Sequence, residues 1–138
     1  RRHDRSALMS DFRTALSRAR GLGAAKHGVG HWISERVSAA ALIPLLLWGV
    51  FAALQLARLD HAGAVAWLQS SLVNPTLLVL LVVTSYLHMS AGLRVVIEDY
   101  IENNLNRAAL LLLNLFACVL FGALAVFSIL KVALGGAV

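Results

Sequence analysis

Three long runs of apolar residues divide the chain, and charged or polar positions bound each of them. The runs lie at about 37–57, 77–97 and 108–130. A helix of about 21 residues measures roughly 31 Å at ~1.5 Å per residue, which is enough to cross the hydrocarbon core of a bilayer. The pattern predicts an all-α integral membrane protein with three transmembrane helices.

The segment between the first two spans is only partly polar. Val65, Trp67 and Leu68 predict a short helix lying at the membrane interface. Asn74 is then expected to cap the second span, with Pro75 as its first helical residue. Within the first span, the small residues 38–41 favour close helix packing.

Composition supports a membrane protein with one membrane domain. Mean hydropathy is +0.78, and 14% of residues are charged, against roughly 25% in a soluble domain. The net charge of +5 raises the question of nucleic acid. However, the basic residues, apart from Arg94 near the end of the second span, lie outside the apolar spans, which indicates membrane topology and no nucleic-acid partner.

We expect two parts, a basic N-terminal segment over residues 1–34 and a three-helix membrane anchor over 35–133. In the first part Leu8, Phe12 and Leu16 recur every four residues, giving a narrow apolar stripe on a basic helix. Such a helix lies on anionic lipid or docks on a soluble partner. A merely solvated tail explains the same residues, so the role of this segment stays open.

The distribution of positive charge predicts the orientation in the membrane. Residues 1–36 hold eight Arg or Lys, the first loop holds one, the second loop two and the tail one. The positive-inside rule then places the N-terminus and the second loop on the cytoplasmic side and the C-terminus opposite. The end of the second span, with Asp99 and Tyr100, is therefore expected on the cytoplasmic side.

The second span contains a histidine, His88, and an ionisable residue at such a place is costly and a candidate functional site. His88, Gly92, Val95 and Asp99 follow helical spacing and line one stripe. An imidazole nitrogen can ligate haem iron, and a glycine lets a flat ring approach the backbone. Alternatively, the histidine only bonds to a neighbouring helix and the glycine is a small packing residue.

The run from His88 to Tyr100 resembles the D-type membrane-anchor subunit of succinate dehydrogenase, respiratory complex II. Gly92 follows the histidine by four residues, and the Asp99-Tyr100 pair follows by eleven and twelve. In that family this helix carries a haem b ligand and then an Asp-Tyr pair at the quinone site. Arg36-Val37-Ser38-Ala39 is similar to the family's R-x-[ST]-A at the mouth of the first span. The resemblance covers about residues 27–133.

The resemblance implies roles for particular residues. His88 is expected to be an axial ligand of the haem b iron, with Gly92 beside it, and a partner anchor supplies the second histidine. Tyr100 is expected to donate a hydrogen bond to a quinone carbonyl, next to Asp99.

Two residues before the first span have alternative roles. Arg36 either reaches lipid phosphate or pairs with a haem propionate, and the resemblance favours the propionate. His31 either assists at the haem or is a plain interfacial residue.

No nucleophile triad, metal-binding cysteine set or pair of catalytic carboxylates occurs, so we expect no catalytic residue and no catalysis by this chain alone. The resemblance implies an anchor subunit of succinate:ubiquinone oxidoreductase, linking the citric acid cycle to the respiratory chain. Its partners would be a flavoprotein, an iron–sulfur protein and a second, cytochrome b anchor subunit. We expect the bacterial cytoplasmic membrane rather than the mitochondrial inner membrane. The alternatives are an anchor of a quinol:fumarate reductase, or a cofactor-free small membrane anchor or transporter.

Overall fold

The computed structural model describes residues 28–135, except for the side chain of His31. All regular structure in that range is helical, which confirms the predicted all-α membrane fold. The helices are α1 (Gly28–Leu56), α2 (His61–Gln69), α3 (Val73–Tyr100) and α4 (Asn104–Ala133). Most of the predicted basic segment, with its stripe at Leu8, Phe12 and Leu16, lies outside the described residues, and the predicted division into 1–34 and 35–133 stays a prediction.

Three helices are long and apolar enough to cross a membrane, namely Trp32–Leu56, Val73–Tyr100 and Asn104–Ala133. They contain 25, 28 and 30 residues, so each is longer than the apolar run that predicted it. The helices continue past hydrocarbon into polar residues because backbone hydrogen bonding, not side-chain polarity, decides where a helix stops.

The start of α3 differs from the prediction. Asn74 was expected to cap this helix, with Pro75 as its first residue. Instead, α3 begins at Val73, two residues before Pro75. Its N-cap is Leu72, which makes no side-chain capping bond. The Asn74 side chain instead donates a hydrogen bond to the carbonyl oxygen of Trp67 at 3.0 Å. This bond ties α2 to the first turn of α3. Pro75 fits here because the first N–H groups of a helix need no intrahelical partner.

The predicted short helix between the first two spans is present as α2. Its Trp67 ring stacks on Trp48 of α1, with centroids 6.4 Å apart, and its indole N–H donates to Gln55 Oε1 at 3.1 Å. At the end of α2, Gln69 Nε2 donates to the carbonyl oxygen of Val132 in α4 at 2.8 Å. The short helix therefore joins the end of α1 to the end of α4.

Helices α1 and α3 pack antiparallel. Ser38 lies beside His88, and further along α1 Gly49 lies beside Leu81, nearer the start of α3. A Cβ atom on Gly49 would come within 2.9 Å of Leu81 Cδ2, the movable end of a leucine side chain, so the two helices are in contact here.

Helices α3 and α4 are also antiparallel, because Ser90 meets Asn114 while Tyr86 meets Gly122. The Ile33 end of α1, the Tyr100 end of α3 and the start of α4 consequently share one side of the bundle.

The chain has almost no interior of its own. Among the described residues only Ala52, Pro75 and Cys118 are buried. Large apolar side chains cover the outside of all three long helices. In water such surface is strongly unfavourable, whereas lipid tails and neighbouring membrane helices accommodate it. The exposed apolar surface fits a multi-pass membrane protein.

Candidate functional site

His88 is half-buried in α3 and reaches across to α1. Its Nδ1 atom lies 3.1 Å from the hydroxyl oxygen of Ser38. The other ring nitrogen, Nε2, has no hydrogen-bond partner among the described residues. His88 therefore makes the bond to a neighbouring helix that was one of its two expected roles. This bond uses only one of the two ring nitrogens.

The helix surface beyond His88 is open. Gly92 is exposed, and a Cβ atom there would meet nothing within 4 Å. Val95 and Asp99, the next positions of the predicted stripe, are exposed as well. We call the surface formed by His88, Gly92, Val95 and Asp99 the open stripe. Since no described residue lies within 4 Å of a Cβ atom at Gly92, this glycine is not a packing residue among the described helices.

The residues of the open stripe fit a haem. A porphyrin supplies four of the iron's ligands, so the protein needs only a single axial nitrogen, and His88 Nε2 has that capacity. Gly92 leaves the adjoining surface clear for a flat ring. The described residues contain no group of three or more His, Cys, Asp or Glu side chains that could hold a bare metal ion. A lone histidine beside an open surface therefore matches a macrocycle better than an isolated cation.

The described part of the chain offers no second axial ligand beside His88. His61 is exposed and begins α2, at the side of the bundle opposite to the Tyr100 end. A six-coordinate iron at His88 would therefore need its other ligand from a partner subunit, as the resemblance implied.

The structure does not join the two expected propionate-binding residues to His88. Arg36 lies in α1 and is exposed. It precedes Ser38 by two positions, so it lies about 200° around the helix from the residue that contacts His88. The side chain of His31 lies outside the described residues. Both roles stay predictions.

Asp99 and Tyr100 are the last two residues of α3, and both are exposed. The Tyr100 side chain is 79% exposed, and neither side chain has a hydrogen bond to another described residue. The nearby Arg94 pairs with Glu98 at 2.8 Å rather than with Asp99. Tyr100 lies twelve residues, or about 18 Å along the helix axis, from His88. The Asp99-Tyr100 pair and His88 are therefore well separated along α3.

A further cavity lies away from His88. It has about 400 Å³ and is between α2, α3 and α4 at the Val73 end of α3. Its walls are mainly leucine, valine and alanine, with Gln69, Ser71 and Thr76 as the polar residues. None of the lining side chains titrates or ligates metal, so we do not place the functional site there.

Ser38 is the site residue that sequence reasoning missed. It was interpreted as a small packing residue and as a letter of the R-x-S-A motif. Its pairing with His88 depends on the antiparallel register of α1 and α3, which the periodicity of either helix alone does not determine. The motif was the one available signal, because it placed a hydroxyl at the mouth of the first span.

Comparison with known proteins agrees with the geometry. Residues 10–124 match the model of the family described as the succinate dehydrogenase/fumarate reductase transmembrane subunit. The chain belongs to this family. It is 33% identical over 108 residues to the succinate dehydrogenase hydrophobic membrane anchor subunit of Rickettsia bellii (strain RML369-C), covering 78% of this chain and 86% of the relative. No solved structure matches the chain with significance.

Two further relatives carry the same description. The subunit of Rickettsia conorii (strain ATCC VR-613 / Malish 7) is 31% identical over 112 residues, which cover 81% of this chain and 89% of the relative. That of Rickettsia typhi (strain ATCC VR-144 / Wilmington) is 26% identical over 113 residues, covering 82% and 90%. These matches confirm the predicted membrane-anchor family of succinate dehydrogenase. The family description spans both directions of the reaction, so it does not separate succinate oxidation from fumarate reduction.

Proposed function

We propose that this anchor helps to bind haem b and ubiquinone in a succinate:ubiquinone oxidoreductase of the bacterial cytoplasmic membrane. The observation that carries the proposal is His88, whose Nδ1 is held by Ser38 while Nε2 faces no described partner. The open surface at Gly92 supports it. Such an arrangement is what an axial haem ligand requires, whereas a histidine used only for packing has no need of an open neighbour.

In this proposal His88 Nε2 would ligate the haem iron, and the exposed Gly92 would leave space for the macrocycle beside it. A bound haem supplies a one-electron carrier inside the membrane. Arg36 lies near the polar end of the first span, where its guanidinium can balance a propionate charge. The second axial histidine comes from the partner cytochrome b anchor.

The quinone site would lie at the end of α3. The exposed Tyr100 hydroxyl is able to donate a hydrogen bond to a quinone carbonyl. Such a donor holds the ring and stabilises the negative charge that develops on reduction. Asp99 adjoins it and places a carboxylate beside the oxygen that must be protonated. The positive-inside rule puts this end on the cytoplasmic side, with the N-terminus.

The proposed partners are those that the family resemblance implies. A flavoprotein would pass electrons from succinate through an iron–sulfur subunit on the cytoplasmic side to the quinone. The open stripe and the exposed apolar faces offer the surface on which a second anchor subunit packs. Lipid covers the remaining apolar surface.

The alternative function is that of an anchor of a quinol:fumarate reductase. It is supported by the family description, which includes fumarate reductase. The quinone that copurifies with the complex separates the two. A ubiquinone supports succinate oxidation, and a low-potential quinone supports fumarate reduction.

The test is a reduced-minus-oxidised spectrum of the purified complex carrying His88→Ala. We expect the b-type bands to be lost or shifted, because the iron loses one axial ligand. The matched control is His61→Ala, which removes an exposed histidine at the start of α2 and should leave the spectrum unchanged. An unchanged spectrum in assembled His88→Ala complex would exclude His88 as a ligand, and absence of any b-type band in the wild-type complex would favour a cofactor-free anchor or transporter.

A further inference from the structure

We infer that Ser38 is a positioning residue for haem binding, and that it fixes His88 in the tautomer with its hydrogen on Nδ1 and its lone pair on Nε2. The inference rests on the proposed haem ligation by His88. It assigns a role to a residue of α1 that would act on the haem only through His88.

The argument begins with the single hydrogen of the Ser38 hydroxyl. Ser38 Oγ lies 3.0 Å from the backbone carbonyl oxygen of Glu35, one helical turn earlier. A carbonyl oxygen accepts hydrogen bonds and cannot donate them, so the serine is the donor in this pair. Serine side chains often bond in this way to the preceding turn of their own helix. The only hydrogen of the hydroxyl is therefore directed towards Glu35.

The direction of the second bond follows. Towards His88 Nδ1, at 3.1 Å, the hydroxyl oxygen has only lone pairs to offer. The imidazole must then be the donor, with its hydrogen on Nδ1. A neutral imidazole carries one hydrogen, so Nε2 is left with the lone pair that a metal needs. Metal-ligating histidines commonly donate their other N–H to an acceptor in this manner.

The surroundings of the bond make Ser38 hard to replace. A groove of about 240 Å³ lies beside it between α1 and α3, lined by Ser34, Val37, Ser38, Ala41, Thr84 and Leu87. Ser34 and Thr84 are its other polar side chains, and neither bonds to His88. No carboxylate lines the groove. Loss of the Ser38 hydroxyl would leave the Nδ1 hydrogen without an acceptor, and the ring free to rotate or change tautomer.

The bond also has an electronic consequence. An acceptor at Nδ1 increases the electron density that the imidazole donates from Nε2. Greater donation stabilises the ferric state more than the ferrous state, and this lowers the midpoint potential of the haem. Removing the acceptor should raise the midpoint potential and speed the loss of haem. A packing role of Ser38 alone would not produce these effects.

The experiment compares Ser38→Ala, Ser38→Thr and the control Ser34→Ala in the purified four-subunit complex. Ser34 lies one turn before Ser38 in the same groove, so it matches the position without the bond. We would measure the midpoint potential by redox titration, the low-spin ferric EPR signal, and the rate of haem loss to a scavenging apoprotein. We expect Ser38→Ala to raise the potential, shift the EPR signal and speed haem loss about tenfold or more. Ser38→Thr keeps the hydroxyl and should restore wild-type values, and Ser34→Ala should not change them.

The results separate the inference from the function on which it rests. If His88→Ala loses the b-type spectrum while Ser38→Ala keeps the wild-type potential, EPR signal and haem retention, the inference is overturned and the haem site stands. If no b-type spectrum depends on His88, the proposed function itself fails. Equal changes in Ser34→Ala and Ser38→Ala would also overturn the inference. Should Ser38→Ala not assemble, Ser38→Cys keeps the size with a weaker acceptor and is judged by the same measurements.

Discussion

Helix α3 makes polar contacts with both of the other long helices, and the two contacts differ in the hydrogen-bonding capacity that they leave unused. On the α4 side, Asn114 Nδ2 donates to the carbonyl oxygen of Ser90 at 3.0 Å. The Asn114 amide oxygen in turn accepts from Cys118 Sγ at 3.4 Å. On the α1 side, Ser38 holds one nitrogen of His88 and leaves the other without a described partner.

The difference offers a criterion for choosing candidate functional residues among the polar residues of a membrane span. Both the donor and the acceptor side of the Asn114 amide are engaged, which suits a residue that joins two helices. His88 is fixed in place and still has a coordinating nitrogen next to an open surface. Polar residues inside a span are candidates for a functional role. Those that keep an unused hydrogen-bonding or metal-binding atom are the better candidates.

The largest expected effect comes from filling the open stripe. Gly92→Leu places a large side chain where a Cβ atom meets nothing within 4 Å, so the helices of this chain should keep their packing. We expect the b-type absorption of the complex to be lost, because the leucine occupies the space proposed for the ring. The control is Gly122→Leu on the α4 side, where an added Cβ atom would lie 3.5 Å from the Tyr86 side chain. That variant should lower the amount of folded complex and keep the haem in what assembles. Full haem content in Gly92→Leu would contradict the open stripe as a haem site.

A smaller effect is expected at the end of α3, where Tyr100 follows Asp99. Tyr100→Phe removes only the hydroxyl of a residue that is 79% exposed, so the fold should survive. Loss of one hydrogen bond to a bound quinone costs about 1–3 kcal/mol, which corresponds to roughly tenfold or more in quinone reduction. Succinate oxidation by an artificial dye at the flavin should persist. Normal quinone reduction together with normal inhibitor binding would contradict a role in quinone binding. Tyr100 would then be an interfacial tyrosine of the kind common where helices leave a membrane.

The smallest effect is expected on the α4 side. Asn114→Leu removes the hydrogen bonds to Ser90 and from Cys118, and a bond of this kind in a membrane contributes about 0.6 kcal/mol on average. We expect a modest drop in the thermal stability of the complex with the haem spectrum and the midpoint potential unchanged. A change of spectrum as large as that of His88→Ala would mean that the two faces of α3 do not differ in the way described.

Sequence reasoning predicted those features that depend on one stretch of chain at a time. The three spans and the short α2 follow from apolar runs and their lengths. Helix ends were less well predicted, because α3 continues through Glu98 and Asp99 to Tyr100 although these residues are polar. The cap expected at Asn74 was wrong because the backbone oxygen of Trp67, from the preceding helix, bonds its side chain.

The parts of the site that come from two helices could not be predicted in this way. His88 and Gly92 share one helix, so their spacing alone placed them on one face. Ser38 reaches His88 only because α1 runs antiparallel to α3, in the register that also brings Gly49 beside Leu81. Nothing in the spacing of residues 38 and 88 encodes that register.

The most direct test of the central claim is imidazole rescue of His88→Gly in the purified complex. The substitution removes the ring and leaves a space of its size beside Ser38, at a helix cost of about 1 kcal/mol. We predict that the low-spin b-type spectrum disappears and that added imidazole restores it, because free imidazole can take the same position on the iron. A wild-type spectrum in His88→Gly without any imidazole would contradict axial ligation by His88.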